Sequence, residues 1–403
     1  MFEVPKVTFR PLEALGPEHE FSLVDENLSP LPIADKIIKE LNGRIANHVK
    51  FNSFTLGKEL QSHVVEFKAN KPFHSPKVFE ETMQNAVLEI SDFLEKRFKA
   101  QLLGTGMHPL LRLEQTKIWS HRDHSVYKAL THIFNFHQHG WLNIQAFQLN
   151  LPYGKKKEAT ELHNALANLL PYIPAIAASS PIYESKISEY MDTRLYFYKI
   201  NQKEVPSITG DVIPEYVTSL EDYQKNIIGR YTKDLQSFNA PETILNKDWL
   251  NSRGAIFRFD RKTLEVRIMD EQECIKADVA LSCFIRTALK GMISEREPCL
   301  PRHILIEDLN AIIKDGLEAK TQHPKGATAK EVCKYYLKIA LENSSTEEKQ
   351  YLNIIKKRIE EGSLSSLIRR DVVKKAQKTD FKEAIINVYS RLIKNLRKNN
   401  VYF

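Results

Sequence analysis

In the run Leu264-Glu265-Val266-Arg267-Ile268-Met269-Asp270, charged and apolar residues alternate strictly. A period of two is the pattern of a β-strand, with successive side chains on opposite faces. Such a strand buries Leu264, Val266 and Ile268 on one side of a sheet and presents Glu265, Arg267 and Met269 on the other. The same grammar recurs near the N-terminus, where Glu18 and Glu20 share one face of the run Leu15–Val24. A third instance is His63-Val64-Val65-Glu66-Phe67, with one acid inside an apolar stretch. Carboxylates in apolar strands are unfavourable unless paired or bound to a cation. Acids contributed by three separated strands therefore point to a polyvalent metal site. Each has a plainer reading as well: Glu265 with Arg267 as a cross-strand ion pair, Glu66 as an edge-facing surface acid, and Glu18 and Glu20 as a solvent face.

The chain has 403 residues, 42% apolar and 27% charged, which fits a globular protein with a large core. Its formal net charge of +7 is unevenly placed. Residues 301–403 carry 21 Lys+Arg against 13 Asp+Glu, a surplus of +8, which leaves −1 for residues 1–300. Lys356, Lys357, Lys374 and Lys375 alternate with aliphatic residues rather than with stacking aromatics, so a solvated helical face explains them better than a nucleic-acid surface. Cys274, Cys283, Cys299 and Cys333 are too far apart for a CxxC motif and read as buried free thiols in a reducing compartment. The opening Met1-Phe2-Glu3-Val4-Pro5-Lys6 lacks a secretory pattern, and no window is apolar enough to span a membrane. The expected location is the cytoplasm.

Along the chain, residues 7–26 read as a strand and turn, 33–41 as a short helix, and 49–54 and 62–69 as strands. A long 3.6-residue periodicity covers 79–102, and 104–109 breaks it. A helix is expected over 125–136 and a strand over 142–152. In that strand a β-bulge near Ala146 would put Asn143, Gln145, Gln148 and Asn150 on one side; without it only one pair faces the site. Helix follows over 160–178, kinked at Pro171 and Pro174, and a loop leads into a helix over 183–198. Residues 201–250 suggest a substrate-facing loop, 254–269 a hairpin, and 277–292 a buried helix. The remainder is helical, with breaks at Pro301, Pro324 and Gly362. Two regions are expected, a catalytic one over 1–300 and a basic helical one over 301–403 packed on it.

Glu18, Glu20, Glu66 and Glu265 are the candidate metal ligands, and hard oxygen donors of this kind suit Mg²⁺ holding ATP phosphates. Gln148 and Asn150 add neutral oxygens or hydrogen bonds to a nucleotide. Arg194, Arg258 and Arg267 have the forked geometry for a carboxylate or a transferring phosphoryl group. The histidines at 108, 121, 124, 132, 137 and 139 are dense, but their spacing matches no zinc motif and reads as structural. There is no GxxxxGK[ST] or GxGxxG loop, so bound ATP is held in some other way.

Taken in order, these segments resemble the glutamate–cysteine ligases and related carboxylate–amine ligases, whose catalytic domain looks like that of glutamine synthetase. Gly16-Pro17-Glu18-His19-Glu20-Phe21 is similar to the family's G-x-E-x-E-F strand, and Glu66 resembles its second-strand acid. Gln148-x-Asn150 resembles the central polar strand, Asn164 to Ser180-Pro181 the helix ending in a Ser-Pro loop, and Thr263 to Asp270 the R-I-E-V-R-x-x-D strand. The resemblance implies an α+β fold: a curved, mainly antiparallel sheet with helices on its outer face. It implies an ATP- and Mg²⁺-dependent ligase that phosphorylates a carboxylate, foremost the γ-carboxylate of glutamate, and joins it to an amine such as cysteine. Glu18, Glu20, Glu66 and Glu265 would hold metal, with Arg267 and Arg194 on phosphate or substrate carboxylate. Gln148, Asn150 and Arg258 would face the nucleotide. His19 and Gln148 depart from residues frequent in relatives, which leaves the metal number and the amine open. Two rival functions stand beside it, a phosphagen-type kinase that stops at phosphoryl transfer and a non-catalytic binding protein using the basic C-terminal region. Small-molecule substrates are the expected partners, with a homo-oligomer as a further candidate and no membrane or nucleic acid.

Overall fold

The computed structural model describes residues 9–121 and 124–403, with the side chains of His124 and Ser125 also outside the description. The opening hexapeptide and the first two residues of the expected 7–26 strand lie outside the described residues. The alternating segments become β1 (Gly16–Val24), β4 (Val64–Ala69), β6 (Ala146–Pro152) and β10 (Thr263–Asp270). With β2 (His48–Lys50), β3 (Phe54–Lys58), β5 (Gln101–Leu103) and β9 (Ala255–Arg258) they form one antiparallel sheet. Its order is β2-β3-β4-β1-β6-β10-β9, with β5 beside the far end of β1. A separate two-stranded hairpin, β7 (Ile182–Tyr183) and β8 (Lys186–Ile187), precedes the helix Thr193–Ile200. The mixed helix and strand architecture with a mainly antiparallel sheet is the expected one.

Apolar residues at alternate positions fix which face is inside. His19, Phe21, Leu23, Phe147, Leu149 and Val266 are all fully buried, and behind them packs the helix Pro76–Phe98 through Phe79. Its Ser75 cap and Pro76 set the start, as an N-cap and first-turn proline should. The helix ends before 102: Lys99 takes a left-handed conformation (φ 53°) as its cap, and Gln101–Leu103 turns into the sheet. Likewise 49–54 is not one strand but the turn of the β2–β3 hairpin, closed by the Phe51 N–H donating to the Phe54 carbonyl at 2.8 Å. Residues 201–250 hold short helices, including Leu220–Tyr223 and Gly229–Gln236, rather than an open loop.

The bulge expected in β6 lies instead in β10. Val266 pairs with Leu149, and Met269 pairs with Phe147, so three steps on β10 match two on β6. Met269 therefore joins Val266 on the apolar face and does not share a side with Glu265. Asn143 turns away to exchange hydrogen bonds with the His108 backbone, while Gln148 and Asn150 face the acids.

The central helix Ile275–Glu295 is buried along nearly its whole length, and the helices Ala329–Glu342 and Thr346–Glu361 pack on it. The last two helices, Leu364–Ala376 and Phe381–Lys398, form a second apolar cluster with Val24, Leu28, Leu103 and Leu110. Cys274, Cys283 and Cys333 are buried, whereas Cys299 is exposed, contrary to its expected burial. Among the described residues no helix is long and apolar enough to cross a membrane.

Candidate active site

The sheet register brings the acids together. Glu18 lies opposite Gln148 and Lys68, Glu20 opposite Glu66, and Glu265 opposite Asn150. All four acids therefore stand on the face away from Phe21 and Phe147, at 7% exposure or less. Gly57 sits across from Glu66, and a Cβ there would come 3.2 Å from Glu66 Oε2, so glycine leaves that carboxylate its room. Glu59, just past β3, joins the group from the rim; it is half-buried and lines the same cavity.

Among the described residues, Lys68, Arg258, Arg261 and Arg267 answer the acids unevenly. Lys68 Nζ lies 2.8 Å from Glu66 Oε2 and 3.2 Å from Glu18 Oε2, while Arg261 and Asn150 take Glu18 Oε1. Glu265 is gripped on both oxygens, by Arg258 Nη1 at 2.6 Å and Arg267 Nε at 3.3 Å. Burial alone would raise the Glu18 carboxyl, but the Lys68 and Arg261 charges overcome it and hold it far below the usual range. Among the described residues Glu20 has no such ion pair. Burial pushes it up to about 7, against the Ala146 N–H bond at 2.8 Å and with repulsion from Glu66 adding to the rise. Glu59 is likewise pushed up to about 7, by burial and the nearby Glu20 charge, and Glu66 rises well above its ordinary value despite Lys68. Burial and mutual repulsion thus outweigh the neighbouring cations at Glu20, Glu59 and Glu66.

A cavity of about 370 Å³ opens over this face. Its floor is Glu18, Glu20, Glu59, Glu66, Gln148 and Glu265, with Lys68, Arg258, Arg261 and Arg267 at the edges. Its other wall is apolar and aromatic, made by Tyr127, Phe136, Trp141, Tyr198, Trp249 and their aliphatic neighbours. Trp141 stacks on Phe136 at 4.2 Å between ring centroids and is fixed by its indole N–H donating to the Asn201 carbonyl at 2.9 Å.

Of the residues singled out in the sequence, Glu18, Glu20, Glu66, Glu265, Gln148, Arg258 and Arg267 line this cavity. Gln148 donates to Glu20 Oε1 at 2.8 Å. Asn150 lies one step outward, in an adjoining recess, and orients Glu18 at 3.0 Å while accepting from Thr263 at 2.8 Å. Arg194 does not reach the cavity. It is 2% exposed, its Nε 2.5 Å from Asp270 Oδ1 and its Nη2 donating to the Ile268 carbonyl at 2.7 Å. From that position its charge lowers the Glu20 carboxyl. Glu59, Lys68, Arg261 and the aromatic wall were not singled out in the sequence. Lys68 was legible, since Glu66-Phe67-Lys68 repeats the acid-apolar-base spacing of Glu265-Val266-Arg267. The histidine group is structural where described: His108 Nδ1 accepts the Leu110 and Leu111 N–H groups at 3.1 and 3.0 Å, and burial pushes its ring down to about 3.

An antiparallel sheet with carboxylates and arginines on one face, under a cavity walled by aromatics, suits an ATP-dependent carboxylate–amine ligase. Residues 14–390 match the sequence profile of glutamate-cysteine ligase family 2, and the chain belongs to that family. It is 48% identical over 388 residues to an uncharacterized protein of Archaeoglobus fulgidus, covering 96% of this chain and 100% of that one. The fold is similar to that of a glutamate–cysteine ligase from Francisella tularensis solved in complex with AMP, with a TM-score of 0.67 at 14% identity over 97% of this chain and 90% of that one. A bifunctional glutathione synthetase from Pasteurella multocida matches with a TM-score of 0.58 at 14% identity, over 95% of this chain and 52% of that one.

Proposed function

We propose that this ligase activates the γ-carboxylate of glutamate with ATP and joins it to an amine, with cysteine the first candidate. The observation that carries the reading is the cluster of carboxyls Glu20, Glu59 and Glu66, raised by burial and by one another, in a cavity edged by three arginines and Lys68. The donor set fits Mg²⁺, because it consists of clustered carboxylate oxygens, the hard ligands that ion prefers. Glu20, Glu59 and Glu66 would hold it, with Glu18 and Glu265 completing the set where Lys68 or an arginine yields. Bound Mg²⁺ would neutralise the triphosphate. That ATP is the nucleotide is supported by the AMP in the similar Francisella tularensis ligase.

The chain's own groups divide the remaining work. Arg267, whose Nη1 donates to the Asn251 carbonyl at 2.9 Å, is held rigid at the cavity edge to face an oxyanion. Arg258 and Arg261 stand beside it for phosphate or the glutamate α-carboxylate. Gln148 and Asn150 fix Glu20 and Glu18, and any contact they make with nucleotide is secondary to that. Arg194 acts from beneath, on Glu20, as a positioning residue. The apolar wall of Trp141, Phe136 and Trp249 excludes water from the intermediate and seats the attacking amine. That second seat favours a ligase over a kinase stopping at phosphoryl transfer.

The test is phosphate release from Mg-ATP with L-glutamate across a panel of cysteine, other amino acids and simple amines, with Glu66→Gln as control. Turnover that needs glutamate and one amine, and is lost in the variant, is expected. ATP turnover with glutamate alone, yielding a stable phosphorylated product, would establish the kinase reading in its place.

A further inference from the structure

The sheet has a gap beside Glu20. β6 pairs with β1 only as far as Phe147 opposite His19, and β5 joins it only from Ser22. On that side of β1, opposite β4, no strand of the described residues pairs at Glu20 and Phe21, and a buried backbone N–H there needs another acceptor. Glu271 supplies it. Its Oε2 accepts the Glu20 N–H at 3.1 Å, and its Oε1 lies 3.3 Å from His19 Nδ1. Glu271 is fully buried, one residue past β10, where its own N–H donates to the Gln145 carbonyl at 3.3 Å. Across the same gap Glu20 Oε2 accepts the Ala146 N–H. Two carboxylates thus lace β1 to β6 and β10 at the position of one site acid. The loop that follows β5 lets residues 270–272 come this close. A Cβ on Gly104 would lie 2.2 Å from the Gln272 carbonyl oxygen, and one on Gly106 would lie 2.2 Å from Asp270 Cγ.

A metal ion is a second way to read His19, Glu271 and Asp278, whose ligand atoms lie within 4.8 Å of one another. The fit is poor. A closed structural site takes four ligands and gives the ring's second nitrogen a partner. Among the described residues no fourth ligand joins the three, and His19 Nε2 has no hydrogen-bond partner between its Phe21 and Phe147 neighbours. A ring N–H set 3.3 Å from each carboxylate accounts for the spacing without an ion.

We infer that Glu271 is a positioning residue for Glu20: it takes the place of the missing strand, fixes the Glu20 backbone, and thereby sets the cation affinity of the acid face. The inference rests on the proposal that the acid face binds a divalent cation. What matters is the reach of the side chain to the Glu20 N–H, not its charge. Glu271→Gln keeps an oxygen at that reach, whereas Glu271→Asp keeps a carboxyl near His19 and falls one methylene short.

The experiment is Mn²⁺ binding to the full chain, followed by electron paramagnetic resonance, with circular dichroism confirming that each variant is folded. The expected result is binding by the unmodified protein, affinity within about threefold of it for Glu271→Gln, and a loss of at least tenfold for Glu271→Asp. The reverse order would show that charge governs and overturn the inference, as would equal affinity in all three. A stoichiometric transition metal that survives chelation in the unmodified protein and is lost in Glu271→Gln would also overturn it, in favour of a metal at His19. Absence of Mn²⁺ binding by the unmodified protein would fell the cation reading itself, before any variant is compared.

Discussion

Replacing Glu20 by glutamine should stabilise the metal-free protein at pH 8 and leave its stability at pH 4.5 almost unchanged. Glu20 is buried, and its carboxyl is pushed up from 4.5 to about 7 when no cation is present. The direction sets the sign. A carboxyl raised in the folded state favours folding most below its unfolded value, and that contribution is lost as pH climbs from about 4.5 through 7. Above that range both states are ionised, and the folded state carries the full cost of the buried charge. A difference of roughly 2.5 pH units corresponds to about 3 kcal/mol. Glutamine keeps an oxygen for the Ala146 N–H, and Gln148 can turn its amide to accept from the new side chain, so the substitution removes the charge and little else. The assay is urea denaturation followed by tryptophan fluorescence between pH 4.5 and 8.5, in chelator and in excess Mg²⁺. In chelator the unmodified protein should lose stability relative to the variant across that span, up to about 3 kcal/mol. Mg²⁺ should restore it and do less for the variant. A difference that does not depend on pH, or a variant less stable at pH 8, would refute the reasoning.

Other consequences can be checked separately. Asp270→Ala leaves the Arg194 guanidinium buried without its partner, so urea denaturation should show a loss of about 3–5 kcal/mol. Gly106→Ala places a methyl group 2.2 Å from Asp270 Cγ and should lower the unfolding temperature, whereas Gly229→Ala, which meets nothing closer than 3.4 Å, should raise stability by about 0.5–1 kcal/mol. Trp141→Ala removes the centre of the aromatic wall; steady-state kinetics should show the KM for the amine rising far more than that for ATP. Lys338 and Lys357 face acids on their own helices, Glu342 at 4.0 Å and Glu361 at 3.7 Å, and no single-stranded DNA binding should be detected by fluorescence anisotropy at physiological salt.

The acid face was legible because strand alternation reports which side chains share a face before any pairing is known. Glu18, Glu20, Glu66 and Glu265 follow that rule in three separate strands, and the register sets them side by side. Met269 was misread because a bulge breaks the period without a mark in the composition. Glu59 and Arg261 escaped notice for a related reason. They lie in connections, where no periodicity singles out a residue, and only the packing of strands turns them toward Glu20 and Glu18. Helical periodicity ran on past Phe98 because Leu102 and Leu103 keep the apolar rhythm, although Lys99 had already turned left-handed. The aromatic wall was beyond local reading altogether. Tyr127, Trp141, Tyr198 and Trp249 come from four stretches of chain, and nothing short of the tertiary fold brings them to one cavity.

The central claim, that this site activates a carboxylate by phosphorylation for attack by an amine, is tested most directly by isotope transfer. Glutamate labelled with ¹⁸O in its γ-carboxylate would be turned over with Mg-ATP and the accepted amine, and the released phosphate analysed by mass spectrometry. An acyl phosphate requires one carboxylate oxygen to leave with the phosphate, so one ¹⁸O is expected in each phosphate formed. Unlabelled phosphate released in step with amide product would contradict it.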